Sequence, residues 1–289
     1  MLYMSDLHLE MARWRVPVPG WTVLLGRHRP LASRLWRGPK LNDLGRIDLI
    51  AMAGDIHNGL RGIAYADRIA KFMSAPVVYV AGNHEFYHHD IDQLLPMLTR
   101  AASRTRGRVT FLENAVAGFT FHGQHLNVLG CTLWSDYALH GDPAAAMTIA
   151  ARRMSDHAII HCENGLFTPG DALARHKASR HWLHETLARL DETEPGVPVL
   201  IVTHHAPSPA CLGARTGDIA PAYGSDLVKE FAHFRPTAWI NGHTHFRHDS
   251  VEAGIRLVSA PRGYPVYGGA AAPDYRPGVL ELRLIPSPS

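Results

Sequence analysis

Five short apolar runs in this chain of 289 residues each end in a group of carboxylate, amide or imidazole side chains. Short apolar runs bounded by turn residues are typical of buried strands. In layered α/β proteins, the carboxyl ends of parallel strands meet at one edge of a sheet. We therefore expect the five polar groups to lie together. In chain order they are Asp6-Leu7-His8, Gly54-Asp55, Gly82-Asn83-His84-Glu85, His204-His205 and Gly242-His243-Thr244-His245.

The segments between these runs predict the fold class. They include amphipathic stretches, and in one of them Leu183, Leu187 and Leu190 recur at helical spacing. Alternating strands and helices are typical of α/β layered folds. The predicted strands span residues 2–5, 48–53, 77–81, 109–112, 126–133, 199–203, 237–241, 251–259 and 279–284. The predicted helices span residues 60–74, 91–104, 171–190 and 226–234.

The chain is predicted to form a single domain, residues 1–289, because no segment has the composition of a linker. Two regions do not resemble core elements and are interpreted as insertions over the active-site end. Residues 11–40 contain seven Lys or Arg, no Asp or Glu, and Trp14, Trp21 and Trp36. Residues 135–170 combine turn sequences with an Ala-rich stretch. The basic insertion could contact phosphate groups or form a solvated loop.

Composition limits the partners and the compartment. Hydrophobic residues make up 46% of the chain, which is enough for a sizeable core. Lys and Arg number 29 against 26 Asp and Glu, a balance that does not favour nucleic acid as a partner. Cys131, Cys162 and Cys211 are too widely spaced to suggest a disulfide framework. Since no apolar run approaches membrane-spanning length, we expect a cytoplasmic protein without membrane association.

The polar groups carry the donor atoms of a metal site. In an extended segment, residues two apart point to the same side, so Asp6 and His8 could bind one ion. His243 and His245 are likewise two apart and are expected to project from one side. Asp55 has two carboxylate oxygens and could bridge two ions. Oxygen and imidazole ligands suit manganese, iron, zinc or nickel better than magnesium or calcium. The sequence thus predicts bound divalent transition metal ions.

These motifs, in this order, resemble those of the calcineurin-like metallophosphoesterases, and the resemblance extends from Asp6 to His245. It implies a four-layer α/β/β/α sandwich in which helices flank two facing mixed β-sheets. It also implies two divalent metal ions that share Asp55 as a bridging ligand. By this resemblance, one ion is held by Asp6, His8, Asp55 and His245, and the other by Asp55, Asn83, His204 and His243.

The resemblance also implies catalytic roles. A hydroxide shared by the two ions would attack phosphorus, with Asp55 holding both ions in place. His84 would bind no metal and would stand over the leaving-group oxygen as a general acid. Glu85, which stands where many family members have Asp, could orient these groups from behind.

Substrate contacts are predicted at Asn83, His84, His205 and Arg262, and alternatives stay open for the last two. His205 follows the expected ligand His204. It is either a hydrogen-bonding neighbour or points the other way from the strand. Arg262 either reaches a phosphate group or lies on the surface of a turn.

The sequence therefore predicts a dinuclear metal-dependent hydrolase that acts on a small or nucleotide-like phosphodiester or phosphomonoester. Three alternatives remain open. One is a nuclease of the same family, supported only by the basic insertion. Another is a non-catalytic binding scaffold, which would have no use for the intact ligand set. The third is hydrolysis of a carboxylic or phosphonate ester at the same site, because a fold does not fix a substrate.

Overall fold

Two mixed β-sheets lie face to face in the computed structural model of the chain, which describes residues 1–11, 46–264 and 275–282. The strands are β1 (Leu2–Met4), β2 (Ile50–Ala53), β3 (Val77–Val80), β4 (Val109–Phe111), β5 (Ala115–Phe121), β6 (Gln124–Cys131), β7 (His161–Cys162), β8 (Gly165–Leu166), β9 (Val199–Thr203), β10 (Ala238–Ile240), β11 (His248–Glu252), β12 (Ile255–Ser259) and β13 (Gly278–Val279). The helices are α1 (Arg61–Met73), α2 (Ile91–Ser103), α3 (Pro143–Arg153), α4 (Asp156–Ile159), α5 (Pro169–Thr193) and α6 (Val228–Phe231).

Both sheets are mixed, with parallel central strands and at least one antiparallel edge strand. The first sheet has the order β13-β1-β2-β3-β4, in which only β13 runs antiparallel to its neighbour. The second has the order β11-β12-β10-β9-β6-β5, in which β11 and β5 are the antiparallel edge strands. The two short strands β7 and β8 pair separately. The parallel strands deliver the loops that follow them to one edge of the sandwich.

Side chains alternate between the two faces of each strand, as the two-residue period of a strand requires. In β2, Ile50 and Met52 face outward and belong to the core that contains buried residues of α1 and α2. Ala51 and Ala53 face the opposite sheet and belong to the core between the sheets. In β10, Trp239 faces outward toward α5 and α6. The predicted sandwich of two sheets between helical layers is therefore confirmed.

Helix α5 confirms and extends the helix predicted for residues 171–190. It begins with a capping box, in which Thr168 Oγ1 accepts from the Asp171 amide at 3.2 Å and Asp171 Oδ2 accepts from the Thr168 amide at 2.8 Å. His176 is fully buried on this helix and its Nδ1 lies 3.1 Å from the Leu133 carbonyl. In the described ranges, no helix is long and apolar enough to cross a membrane.

Some elements were missed or merged by sequence reasoning. The strand predicted for residues 251–259 is a hairpin of β11 and β12, which turns at Ala253 and Gly254 with φ of 48° and 84°. Such a turn requires positive φ at both positions, and Ala does not signal it. Strand β5 was also missed, and its partly exposed residues pair with the predicted strand β6.

The two predicted insertions have different outcomes. Most of residues 11–40, including its three tryptophans, lies outside the described residues. Residues 135–170 contain α3, α4 and the β7–β8 hairpin, so this segment has regular structure that the sequence did not predict. The assignment of both segments as insertions into a single domain stays a prediction.

The spacing of the sheets depends on Gly130 in β6, which faces β3. A Cβ at this position would lie 2.6 Å from Leu112 Cβ and 2.9 Å from Val80 Cγ2. We expect Gly130→Ala to lower the free energy of unfolding by about 1–3 kcal/mol, because overpacking forces the sheets apart. The measurement is chemical denaturation. Gly118→Ala in β5 is the control, since its Cβ would meet only Asn127 Oδ1 at 3.7 Å. Equal effects of the two variants would contradict this role.

Candidate metal centre

The candidate ligands lie on tight turns just beyond the strand ends, and five of them have left-handed backbone conformations. These five are Asp6, His8, Asp55, His243 and His245, with φ between 45° and 68°. Such conformations are unfavourable for residues with a Cβ and concentrate at functional sites. The expectation that Asp6 and His8 project from an extended segment is therefore wrong, because β1 ends at Met4 and the turns bring the side chains together.

Glu85 connects two of these turns through its buried carboxylate. Oε2 accepts hydrogen bonds from the backbone amides of Asp55 at 2.9 Å and Gly82 at 2.7 Å. Oε1 accepts from the amide of Ile56 at 2.8 Å and from the Tyr79 hydroxyl at 2.6 Å. Burial raises the pKa of Glu85, and these hydrogen bonds partly offset that effect. The predicted role of Glu85 thus takes a specific form: it holds the turns after β2 and β3 against each other.

A first group of donor atoms joins the two sheets. Atoms of Asp6, His8 and His245 all lie within 4.8 Å of one another. His8 Nε2 is 2.9 Å from His245 Nε2, and His245 Nε2 is 3.5 Å from Asp6 Oδ1. Converging imidazole nitrogens and a carboxylate oxygen are typical of a site for a divalent transition metal ion.

A second group lies beside the first. Atoms of Asp55, His204 and His243 are also within 4.8 Å of one another. His204 Nε2 lies 3.4 Å from Asp55 Oδ1 and 3.0 Å from Asn83 Oδ1. His204 Nδ1 lies 2.9 Å from the Ala53 carbonyl, which can only accept, so the proton is on Nδ1 and the Nε2 lone pair faces the other donors.

Asp55 lies between the two groups and contacts both. Its Oδ2 is 3.8 Å from His8 Nε2 in the first group, and its Oδ1 is 3.4 Å from His204 Nε2 in the second. Each carboxylate oxygen thus faces a different set of ligands. This arrangement is the one that a carboxylate bridging two cations would need.

The electrostatics of these residues fit bound cations. Burial lowers the pKa of His8 and of His204 to about 4, so at neutral pH their lone pairs are free to bind a metal. Burial and the neighbouring carboxylates of Glu85 and Asp6 raise the pKa of Asp55 well above its usual range. Within the described residues, buried Asp6 Oδ2 and His243 Nε2 have no hydrogen-bond partner. Divalent cations would satisfy these atoms and neutralise the clustered carboxylates.

His84 has its two ring nitrogens in different environments. Nδ1 is 2.9 Å from Glu10 Oε1, and Nε2 is 3.3 Å from the Tyr264 hydroxyl and 3.8 Å from Asp55 Oδ2. Glu10 also lies 3.3 Å from His8 Nδ1. Burial alone would raise the pKa of Glu10, but its bonds with the two imidazoles lower it to about 2. Glu10 therefore stays ionised and fixes an N–H on His84 Nδ1. The other ring nitrogen, Nε2, then faces the two groups of candidate ligands.

Asn83 is oriented by Asp156, which lies 73 positions away in the sequence, and by the nearby Tyr87. Its Nδ2 donates to Asp156 Oδ1 at 2.8 Å and to the Tyr87 hydroxyl at 3.1 Å. Because a carboxylate accepts and does not donate, this contact identifies the amide nitrogen and directs Oδ1 toward His204. Asp156 lies at the start of α4, within the segment that was predicted as an insertion.

Two predicted substrate contacts lie away from the open part of the site. His205 is buried, its Nδ1 lies 3.3 Å from the Thr132 carbonyl, and its ring packs against His243 at 4.1 Å between centroids. His205 therefore packs behind the candidate ligand His243, with a hydrogen-bond partner at Thr132. Arg262 Nη1 donates to the Leu7 carbonyl at 3.0 Å. Substrate binding by either residue stays a prediction.

A small cavity of about 100 Å³ opens beside both groups. Arginines and tyrosine hydroxyls form part of its wall. It is lined by Asp55, Asn83, Tyr87, Arg153, Met154, Ser155, Arg215, Tyr223, His243, His245 and Tyr264.

Sequence reasoning did not single out Glu10, Asp156, Arg215 or Tyr264. Glu10 had a local signal, because it lies two residues beyond His8, and Tyr264 lies two residues beyond the predicted substrate contact Arg262.

Comparison with known proteins agrees with this geometry. Residues 1–247 match the calcineurin-like phosphoesterase family, and the chain belongs to that family. A phosphoesterase fold with candidate ligands for divalent metal ions is therefore established. An uncharacterized protein of Acanthamoeba polyphaga mimivirus is 26% identical in an alignment 284 residues long. The alignment covers 91% of this chain and 90% of that protein.

A solved structure has a similar overall fold. The phosphopantetheinyl hydrolase of Mycobacterium tuberculosis superposes with a TM-score of 0.65 at 18% identity, covering 99% of this chain and 97% of that one. The similarity extends over almost the full length of both chains. At this level of identity it supports the shared fold.

The clamp formed by Glu85 can be tested with an isosteric variant. Glu85→Gln places an amide NH₂ where an oxygen accepts, so at least one buried donor loses its partner, at a cost of about 1–3 kcal/mol. We expect a lower free energy of unfolding and weaker metal retention, measured by denaturation and by metal analysis.

The control for this clamp is Glu230→Gln, which removes the charge of a partly exposed ion pair with Arg180. It should change the free energy of unfolding by at most about 1 kcal/mol. If the contacts of Glu85 contributed nothing, Glu85→Gln and Glu230→Gln would have the same free energy of unfolding and the same metal content.

Proposed function

We propose that this protein is a dinuclear metal-dependent phosphoesterase that hydrolyses a small or nucleotide-like phosphodiester or phosphomonoester. The observation that carries the proposal is the position of Asp55, whose two oxygens face separate groups of ligands beside an open cavity. Membership of the phosphoesterase family supports the same reaction class.

The proposed ligand sets follow the two groups. Asp6, His8, Asp55 and His245 hold one ion, and Asp55, Asn83, His204 and His243 hold the other. Mixed oxygen and nitrogen donors favour manganese, iron, zinc or nickel. Divalent ions bound there would act as Lewis acids and would lower the pKa of water.

His84 is proposed to act as a general acid that protonates the leaving-group oxygen. Its Nδ1–H is held by Glu10, so only Nε2 is free to exchange a proton with a substrate oxygen. When both ring nitrogens carry a proton, the imidazole can donate from Nε2. Glu10 is a positioning residue that acts through His84.

The cavity supports a phosphoester substrate. Its volume of about 100 Å³ suits a phosphoryl group and leaves the rest of the substrate outside. Arg153, Arg215, Tyr223 and Tyr264 offer donors to phosphoryl oxygens, whereas the hydroxyl of Tyr87 donates to Asp156. Neither a polynucleotide nor an uncharged carboxylic ester is specifically favoured by these features.

A panel of substrates would test the reaction class. The panel contains bis(p-nitrophenyl) phosphate, p-nitrophenyl phosphate, p-nitrophenyl acetate, a single-stranded oligonucleotide and a phosphopantetheinyl diester, the last suggested by the name of the structural neighbour. Manganese-dependent turnover of either nitrophenyl phosphate would support the proposal. Turnover of the acetate or the oligonucleotide alone would contradict it, and a protein that retains no metal would favour a binding scaffold.

Asp55→Asn tests the bridging ligand. The variant keeps the size of the side chain but removes the charge that faces both groups. We expect it to bind fewer metal ions and to lose more than about 100-fold in turnover, beyond the 10–100-fold typical of outer-shell changes. Metal analysis of the purified protein and steady-state kinetics with added manganese provide the measurements.

The matched control for Asp55 is Asp191→Asn, because the Asp191 side chain is half-exposed on the outer surface of α5. Both substitutions remove one carboxylate charge. Only the first should change the metal content. Asp55→Asn protein with two metals and normal turnover would rule out the bridging role.

The proposed roles of His84 and Glu10 are tested by how strongly the rate of hydrolysis depends on the leaving group. We expect His84→Ala to slow phenyl phosphate by about 10²–10⁴-fold and p-nitrophenyl phosphate much less, because a better leaving group needs less protonation. Glu10→Gln should show the same pattern with a smaller loss. Since Glu10 acts through His84, the double variant should be no slower than His84→Ala alone. Independent, multiplying losses would show that Glu10 has another role.

A further inference from the structure

We infer that Arg215 forms an anion subsite beside the metal-ligand groups, which binds an oxygen of a terminal phosphoryl dianion. The ligand class is a phosphomonoester or the end of a di- or triphosphate, and not a phosphodiester. This inference rests on the proposed phosphoester hydrolysis and names the substrate class within it.

The guanidinium of Arg215 is held in place by neutral groups. Nε donates to the Thr244 carbonyl at 3.4 Å, and Nη1 donates to the Tyr223 hydroxyl at 3.2 Å. The guanidinium carbon also lies over the Tyr223 ring, 4.5 Å from its centroid. These contacts fix the position of the cation without neutralising it, and a guanidinium has five N–H donors, so several remain for a ligand.

Among the described residues, no acidic side chain compensates the charge of Arg215. In the described part of the chain, no carboxylate oxygen lies within 4.0 Å of it. Other arginines are paired: Arg108 with Asp67, Arg175 with Asp92, Arg180 with Glu230 and Arg256 with Asp249. An uncompensated guanidinium in the wall of a small cavity is suited to an anionic ligand.

The anchors of Arg215 connect it to the proposed ligands. Thr244, whose carbonyl accepts from Arg215, lies between His243 and His245 in the turn after β10. Tyr223 packs against His243 with 4.9 Å between ring centroids. Both contacts therefore position the guanidinium relative to the second group of ligands.

Arg153 lines the same cavity but differs from Arg215. It is exposed at the end of α3 and forms an ion pair with Asp218 at 2.7 Å. Its charge is already partly neutralised in solvent. Arg215 is therefore the cation that the structure leaves available to the ligand.

The number of free oxygens decides the substrate class. A diester has two non-bridging oxygens and one negative charge, whereas a terminal phosphoryl group has three such oxygens and a second charge. If the metal-ligand groups hold the oxygens on their side of the cavity, the additional oxygen and charge of a terminal phosphoryl group can face Arg215. A guanidinium group binds phosphoryl oxygens through directed, charge-assisted hydrogen bonds.

The test measures binding as well as turnover. Manganese-loaded protein is titrated calorimetrically with inorganic phosphate, which is a terminal phosphoryl mimic, and with dimethyl phosphate, which is a diester mimic. We expect Arg215→Ala to weaken phosphate binding about 10- to 100-fold. Dimethyl phosphate binding should change much less. Arg215→Lys should be intermediate, because it keeps the charge but loses the planar fork.

The kinetic arm compares kcat/KM for p-nitrophenyl phosphate and bis(p-nitrophenyl) phosphate. Arg215→Ala should lose the monoester activity by a similar 10- to 100-fold and should keep most of any diester activity. Arg180→Ala is the control, because Arg180 pairs with Glu230 outside the cavity. This variant should match the unaltered protein in every measurement.

The outcomes separate this inference from the proposed function. Unchanged phosphate affinity in Arg215→Ala, equal losses for both mimics, or no phosphate binding by the unaltered protein would each overturn the subsite. An unaltered protein that binds phosphate through Arg215 but hydrolyses no phosphoester would overturn the proposed function and leave the subsite standing.

Discussion

The site depends on the buried carboxylate of Glu85. This group accepts from four backbone amides and one hydroxyl, and thereby holds the turn after β2 against the turn after β3. The turns carry Asp55 and Asn83, which belong to the proposed second ligand set. Gly54 and Asp55 in the turn after β2 have left-handed backbone conformations, which the hydrogen bonds to this shared acceptor help to stabilise.

Buried carboxylates cluster around Glu85, although burial of an unpaired charge is unfavourable. Asp6, Asp55 and Glu85 are fully or almost fully buried, and no Lys or Arg in the described ranges pairs with Asp6 or Asp55. Buried charges require compensation. His8 and His204 beside them are neutral at pH 7 because burial lowers their pKa to about 4, so these two residues offer lone pairs and no charge. Divalent cations are the compensation that such a set of donors requires, which accords with the family to which the chain belongs.

Local patterns predicted the layers and placed the candidate ligands at strand ends, since strand periodicity and terminal motifs are encoded in neighbouring residues. The contacts that orient the site were not predictable in this way. Glu10 reaches His84 across 74 positions, and Asp156 reaches Asn83 across 73. No periodicity links such pairs, and Arg215 lies in a loop without a motif. The expected extended geometry of Asp6 and His8 also failed, because sequence reasoning did not register the left-handed turns that follow β1.

The division of the ligands between the sheets has a consequence for the order of assembly. In the proposed sets, Asp6, His8, Asp55 and Asn83 follow strands of the first sheet, whereas His204, His243 and His245 follow strands of the second. A chain in which only one sheet has formed presents an incomplete set for either ion. Complete coordination of either proposed ion would therefore require both sheets, and ions bound in this way would cross-link the two sheets at the edge that carries the site.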